Sequence, residues 1–140
     1  METKSDRPGF PNELSLYVYA GYRCKPVTLE RYAVRLDGFF SWRGDMEGGK
    51  VLTKPVIFEG GELQVNFATS ALGSLRIRIC GEDGAPLEGY DSENLFGDSV
   101  DRVVDFDRPL EELAGKPVRL EITLADADLY SFRFLPDAGL

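Results

Sequence analysis

The alternation of apolar and polar residues is strongest between Lys116 and Leu135. Val118, Leu120, Ile122 and Leu124 fall on one side of an extended chain, and Arg119, Glu121 and Thr123 on the other. A period of two is the mark of a strand with one buried face. A second run sets Tyr130, Phe132 and Phe134 against Leu129, Ser131 and Arg133. The pattern predicts two antiparallel strands joined by a short turn at Asp126-Ala127.

The same period recurs upstream. Leu14, Leu16 and Val18 alternate with Ser15, Tyr17 and Tyr19, and Tyr32, Val34 and Leu36 with Arg31, Ala33 and Arg35. Asp37-Gly38 is a turn signal, after which 39–42 reads as strand. A strand over 51–59 is interrupted by Pro55, which points to an edge or a bulge. Leu63, Val65 and Phe67 lead through a loop over 69–73 to Leu75, Ile77 and Ile79, a predicted hairpin. Residues 85–101 read as loop with one short strand, and 103–106 as a strand. One helical turn is expected over 107–114, with Asp107 as N-cap and Gly115 just past its end. Nothing else carries a helical period. Many short strands with a turn signal about every 8–12 residues predict an all-β fold, an antiparallel β-sandwich of jelly-roll (concanavalin-like) type. The expected layout is a linker or mobile arm over 1–13, one sandwich domain over 14–135 and a tail over 136–140.

Composition narrows the chemistry. The chain has 140 residues, a net charge of −8 and no histidine. Without histidine there is no Ser-His or Cys-His catalytic pair and no histidine-bearing zinc site. The acidic field disfavours nucleic acid as a partner, although Arg76, Arg78 and Arg119 are candidates for a local basic stripe. Cys24 and Cys80 are too few for a cysteine zinc site. They make either one disulfide or two thiols, and thiols are expected because a domain of this size needs no disulfide. No apolar run reaches the roughly 18 residues of a transmembrane helix, so no membrane partner is expected. The N-terminus shows no apolar core of a signal peptide.

Five segments in order carry a resemblance: R-Y-A-V-R-L-D-G-F at 31–39, T-K-P-V-I-F-E-G at 53–60, N-F-A-T-S-A-L-G-S-L-R-I at 66–77, G-D-S-V-D-R-V-V at 97–104, and A-G-K-P-V-R-L with D-A-D-L-Y-S-F-R-F within 114–134. Together they resemble the C-terminal β-sandwich domain of proteins similar to glycoside hydrolase families 32 and 43. In such proteins an N-terminal five-bladed β-propeller holds the catalytic carboxylates. The resemblance implies an accessory domain packed against a propeller that this chain does not contain. It transfers no catalytic residue to any position here.

Three functions from different classes follow as expectations. The first is the structural accessory domain. Tyr17 and Tyr19, on the non-core face of their strand, are its candidate interface. The second is an autonomous carbohydrate-binding, lectin-like module, with Trp42 as stacking platform and Arg43 and Asp45 as hydrogen-bonding neighbours; Tyr22 and Tyr90 are further aromatics off the main alternation. Asn66, Arg76, Arg78, Arg119 and Glu121 lie on outward strand faces, either as solvated ion pairs or as a ligand face. The third is a stand-alone glycoside hydrolase, which needs two facing carboxylates. Acid clusters at Asp37, Asp45 and Glu47, at Glu82 and Asp83, at Asp98 and Asp101, and at Asp126 and Asp128 are the pairs on offer. Asp126 and Asp128 also suit a hairpin turn. No cofactor is expected. Calcium, which takes roughly six to eight oxygens, has only Asp45, Glu47 and loop carbonyls as candidates and no EF-hand spacing. The glycine pairs at 48–49 and 60–61 are turn residues, and no phosphate-binding glycine motif is present.

Overall fold

The computed structural model describes residues 1–23 and 26–136. The chain divides into two compact units, Met1–Phe40 and Ser41–Leu140.

The first unit is a three-stranded antiparallel sheet of β1 (Glu2–Thr3), β2 (Glu13–Ala20) and β3 (Thr28–Arg35), in the order β1-β2-β3. The segment expected as a mobile arm therefore begins in a strand. The N-terminal ammonium donates to the Ser15 carbonyl at 3.0 Å. Arg31 donates to Ser15 Oγ at 2.8 Å and to Glu13 Oε1 at 2.6 Å, and pairs with Asp6. In this sheet the expected inner and outer faces are not distinguished by burial. Ser15 is buried under the Arg31 network, while Leu16 and Val18, expected in the core, are exposed. After β3 the chain turns at Asp37, whose φ of 53° is left-handed, in line with the Asp-Gly signal.

The second unit contains β4 (Trp42–Gly44), β5 (Gly49–Leu52), β6 (Glu62–Gly81), β7 (Pro86–Asp91), β8 (Asp98–Val103), a 3-10 turn at Leu110–Leu113, and β9 (Val118–Leu135). Strands β4, β9, β6 and β7 pair in that order, with β5 also on β9 and β8 also on β6. All pairings are antiparallel. Among the described residues every regular element is a strand except the single 3-10 turn, so the expected antiparallel all-β sandwich class is what forms. The pairing makes one six-stranded sheet centred on β6 and β9.

The two predicted hairpins are each one long strand. β9 runs straight through Asp126-Ala127, and β6 runs through 69–73. Bulges explain why the sequence pattern breaks at these places. Asp126 is the one β9 residue between Ala125, opposite Ser74, and Ala127, opposite Thr69, where β6 carries four residues. Its φ is 41°. Tyr130 is an extra residue of β9, between Leu129 opposite Phe67 and Ser131 opposite Asn66. At both places the period-two pattern shifts by one. The buried set is therefore Val118, Leu120, Ile122 and Leu124, then Ala127 and Leu129, with Phe132 and Phe134 packed beyond. Leu129 thus shares the core side with Phe132 and Phe134, not the side opposite to them expected for it. Opposite, 70–73 of β6 form an excursion, and Gly73 lies so close to β9 that a Cβ would stand 2.2 Å from the Asp126 carbonyl oxygen.

Leu63, Val65 and Phe67 from one half of β6 and Leu75, Ile77 and Ile79 from the other join a single core with Phe58, Leu110 and Leu113. Phe58 stacks on Phe134 with centroids 4.1 Å apart. Strand β5 ends at Leu52, three residues before Pro55, and Val56 makes only an isolated bridge to Val118. Two strands, β7 and β8, occupy most of the stretch expected as loop. The 3-10 turn follows Pro109 without a side-chain cap from Asp107, and Gly115 lies past its end with φ of 76°.

Candidate functional site

On the outer face of the second unit, Lys50 of β5, Arg76 and Arg78 of β6, Asp91 at the end of β7 and Glu121 of β9 line an open cavity of about 310 Å³. Strand register brings them together. Arg78 lies opposite both Asp91 and Glu121, and Lys50 and Arg76 both lie opposite Thr123. Odd residues of this stretch of β6 enter the core, so even ones must face out.

These charges form one continuous chain. Arg76 Nε and Nη2 donate to the two Asp91 oxygens at 2.8 Å each, a bidentate fork. Arg78 Nη2 donates to Asp91 Oδ2 at 2.9 Å and Arg78 Nη1 to Glu121 Oε1 at 3.3 Å. Lys50 Nζ lies 3.2 Å from Glu121 Oε2. Burial alone would raise the Asp91 carboxyl, but the hydrogen bonds from Arg78 and Arg76 outweigh it and hold the group below its ordinary range. Arg78 is raised in turn, mainly by its hydrogen bond to Asp91. A carboxylate held ionised by two guanidiniums is a poor proton donor, so Asp91 is not suited to the acid role in glycoside hydrolysis.

A prediction follows from the lowered carboxyl. The depressed native value means that Asp91 stabilises the fold fully above its unfolded value and progressively less as pH falls below about 4. Asp91→Asn should cost about 1 kcal/mol at neutral pH and should flatten part of the acid limb. Chemical unfolding of both proteins at pH 7 and pH 3 measures this. An equal difference at the two pH values contradicts it.

Of the outward residues named from sequence, Arg76, Arg78 and Glu121 meet in this cradle. Arg119 is occupied elsewhere, donating to the Glu82 and Thr53 carbonyls, and Asn66 is buried. Lys50, Asp91 and Asn94 went unremarked. No local signal marks them: Lys50 and Asp91 reach the site through strand pairing, and Asn94 from the loop that follows β7.

The residues proposed as a sugar platform do not converge. Trp42 is opposite Leu129 and Arg43 opposite Asp128, so the two adjacent side chains project from opposite faces of the sheet. Trp42 remains 52% exposed. Arg43 pairs with Asp128 at 3.4 Å, and Asp128 also accepts from Ser41 at 2.8 Å. Asp45 is a turn residue. Its carboxylate accepts from the Glu47 and Gly48 amides at 3.0 and 3.2 Å, and its carbonyl from the Asp126 amide at 2.8 Å. Among the described residues no group of three or more metal-ligating side chains is assembled. Tyr90 is a core residue, its hydroxyl donating to the Pro109 carbonyl and Glu112 at 3.2 Å. Cys80 is a free thiol, fully covered, and burial pushes it up. Cys24, and the disulfide question with it, lies outside the described residues.

The first unit presents a different surface. Tyr17 is opposite Arg31 and Tyr19 opposite Leu29, while Leu16 is opposite Tyr32 and Val18 opposite Glu30. Residues directly opposite share a face. One face thus shows Tyr17, Tyr19 and Leu29, and the other Leu16, Val18 and Tyr32. Tyr17 is 49%, Tyr19 70%, Leu16 64% and Tyr32 57% exposed. Comparison with protein-family models, with curated proteins and with solved structures gave no match.

Proposed function

We propose that the chain is an accessory, non-catalytic β-sandwich domain of a glycoside-hydrolase-like protein, docked through its first unit against the sheets of a β-propeller. One observation supports this reading above the others. The β1–β3 sheet carries large apolar side chains on both faces. An antiparallel sheet facing water on one side has a polar face there. A sheet apolar on both faces suits stacking between neighbours, and the radially packed blades of a propeller provide that setting. The ordered resemblance of five segments supplies the class of the parent protein. Sugar hydrolysis in this reading belongs to the propeller; the alternatives are a lectin-like module around Trp42 and a stand-alone hydrolase.

Size-exclusion chromatography of this chain mixed with five-bladed propeller domains of glycoside-hydrolase-like proteins tests the proposal. A one-to-one complex is expected. Leu16→Lys combined with Tyr19→Lys, one change on each apolar face, should weaken it at least about tenfold, as expected for loss of central apolar contacts. Failure to co-elute with any such propeller, or a complex indifferent to both substitutions, would overturn the reading.

A further inference from the structure

We propose that the charged cradle on β5, β6, β7 and β9 binds a small carboxylated polyol, an acidic monosaccharide of the uronate class. The first support is charge. Three cations, Lys50, Arg76 and Arg78, face two carboxylates in the cradle, although acids outnumber bases 24 to 16 along the whole chain. The cradle is thus a local positive site on an acidic protein. It draws a small monoanion, while the field of the rest repels a polyanion.

The second support is donor geometry. Asp91 holds Arg76 and Arg78 in place through Nε and Nη2 of each. Arg76 Nη1 is left without a protein partner among the described residues, as are the Ser74 and Thr123 hydroxyls and the Asn94 amide, all of which line the same cavity. A pre-positioned guanidinium recognises a carboxylate with little ordering cost. Hydroxyls and an amide able both to donate and to accept match the hydroxyls of a sugar ring.

The third support is what the lining lacks. No aromatic side chain is among it, so stacking cannot hold a neutral sugar, and the affinity must come from the charge. The volume, about 310 Å³, lies at the small end of the range for small-molecule sites.

Titration of the full chain with glucuronate, followed by the amide NMR signals of 74–78 and 121–123, is the test. Saturable shifts are expected with a Kd of about 1 mM, the range of a few charge-assisted hydrogen bonds on an open surface. Glucose and acetate should each bind at least about tenfold more weakly. Lys50→Gln, which removes the excess charge from an exposed position, should weaken glucuronate about fivefold with an unchanged melting temperature. Asn94→Ala should weaken it about threefold. Absence of saturation overturns the proposal. So does glucose binding as tightly as glucuronate, which would remove the charge argument, or acetate binding as tightly, which would leave a simple anion site. Undiminished affinity in a folded Lys50→Gln protein overturns it as well.

Discussion

Ile122→Ala is expected to lower the unfolding free energy of the second unit by about 3–4 kcal/mol. Ile122 is fully buried. It lies opposite Ile77 on β6 and Val51 on β5, so strands hem it in on both sides. Two terms add: the transfer free energy of the lost methyl and methylene groups, and the cavity that rigid neighbouring strands cannot close. A domain holds only about 5–15 kcal/mol in total, so this single change removes a large share. The chain has one tryptophan, Trp42, which lies in the same unit and is half exposed. Its fluorescence in a urea titration therefore reports this transition. Ile122→Val, which removes one methylene, should cost about 1 kcal/mol. A cost below about 1 kcal/mol for the alanine variant would mean that the sheet relaxes into the space, contrary to the packing described.

Gly73→Ala is the second large effect, expected at about 2–3 kcal/mol. The cause is contact, not left-handed backbone. The added Cβ would stand 2.2 Å from the Asp126 carbonyl oxygen and 2.8 Å from that of Ala125. Both obstacles are backbone, so no side-chain rotation relieves them. β9 has to shift where its register with β6 changes. Ala71→Ser, on the exposed part of the same excursion, should change stability by less than about 0.5 kcal/mol. If the two substitutions give equal midpoints, the close approach of Gly73 to β9 is not what holds the bulge.

Much of the core of the second unit was legible in the chain. Leu63 to Phe67, Leu75 to Ile79 and Val118 to Leu124 were read as inward by alternation, and all three runs are buried. Alternation failed where the register between β6 and β9 shifts. Asp126 imitated a hairpin turn because an aspartate with positive φ serves a bulge as well as a turn. Leu129 was set on the face opposite Phe132 and Phe134 because the extra residue Tyr130 is invisible without the partner strand. In the first unit, Leu16 and Val18 read as core although the described sheet covers neither face. A period-two pattern states which residues share a face and says nothing of what lies against it.

The candidate site was half legible for the same reason. Arg76, Arg78 and Glu121 were placed outward by parity. Asp91 and Lys50, which join them into one ion-pair chain, stand well apart in sequence and meet only through register. Trp42, Arg43 and Asp45 looked like a cluster because they are close in sequence, but neighbours in a strand point to opposite faces.

The amino-acid sequence by itself determined the all-β class, the absence of histidine chemistry, the acidic surface and the inward and outward sets within each unbroken strand. These depend on side-chain identity and on a backbone period of two residues, both local properties. Tertiary structure alone decided that β6 and β9 are single long strands, that the chain forms two units, and that three cations and two carboxylates share one cradle. Those outcomes rest on pairings between residues tens of positions apart, whose register is set by the summed packing of the whole sheet.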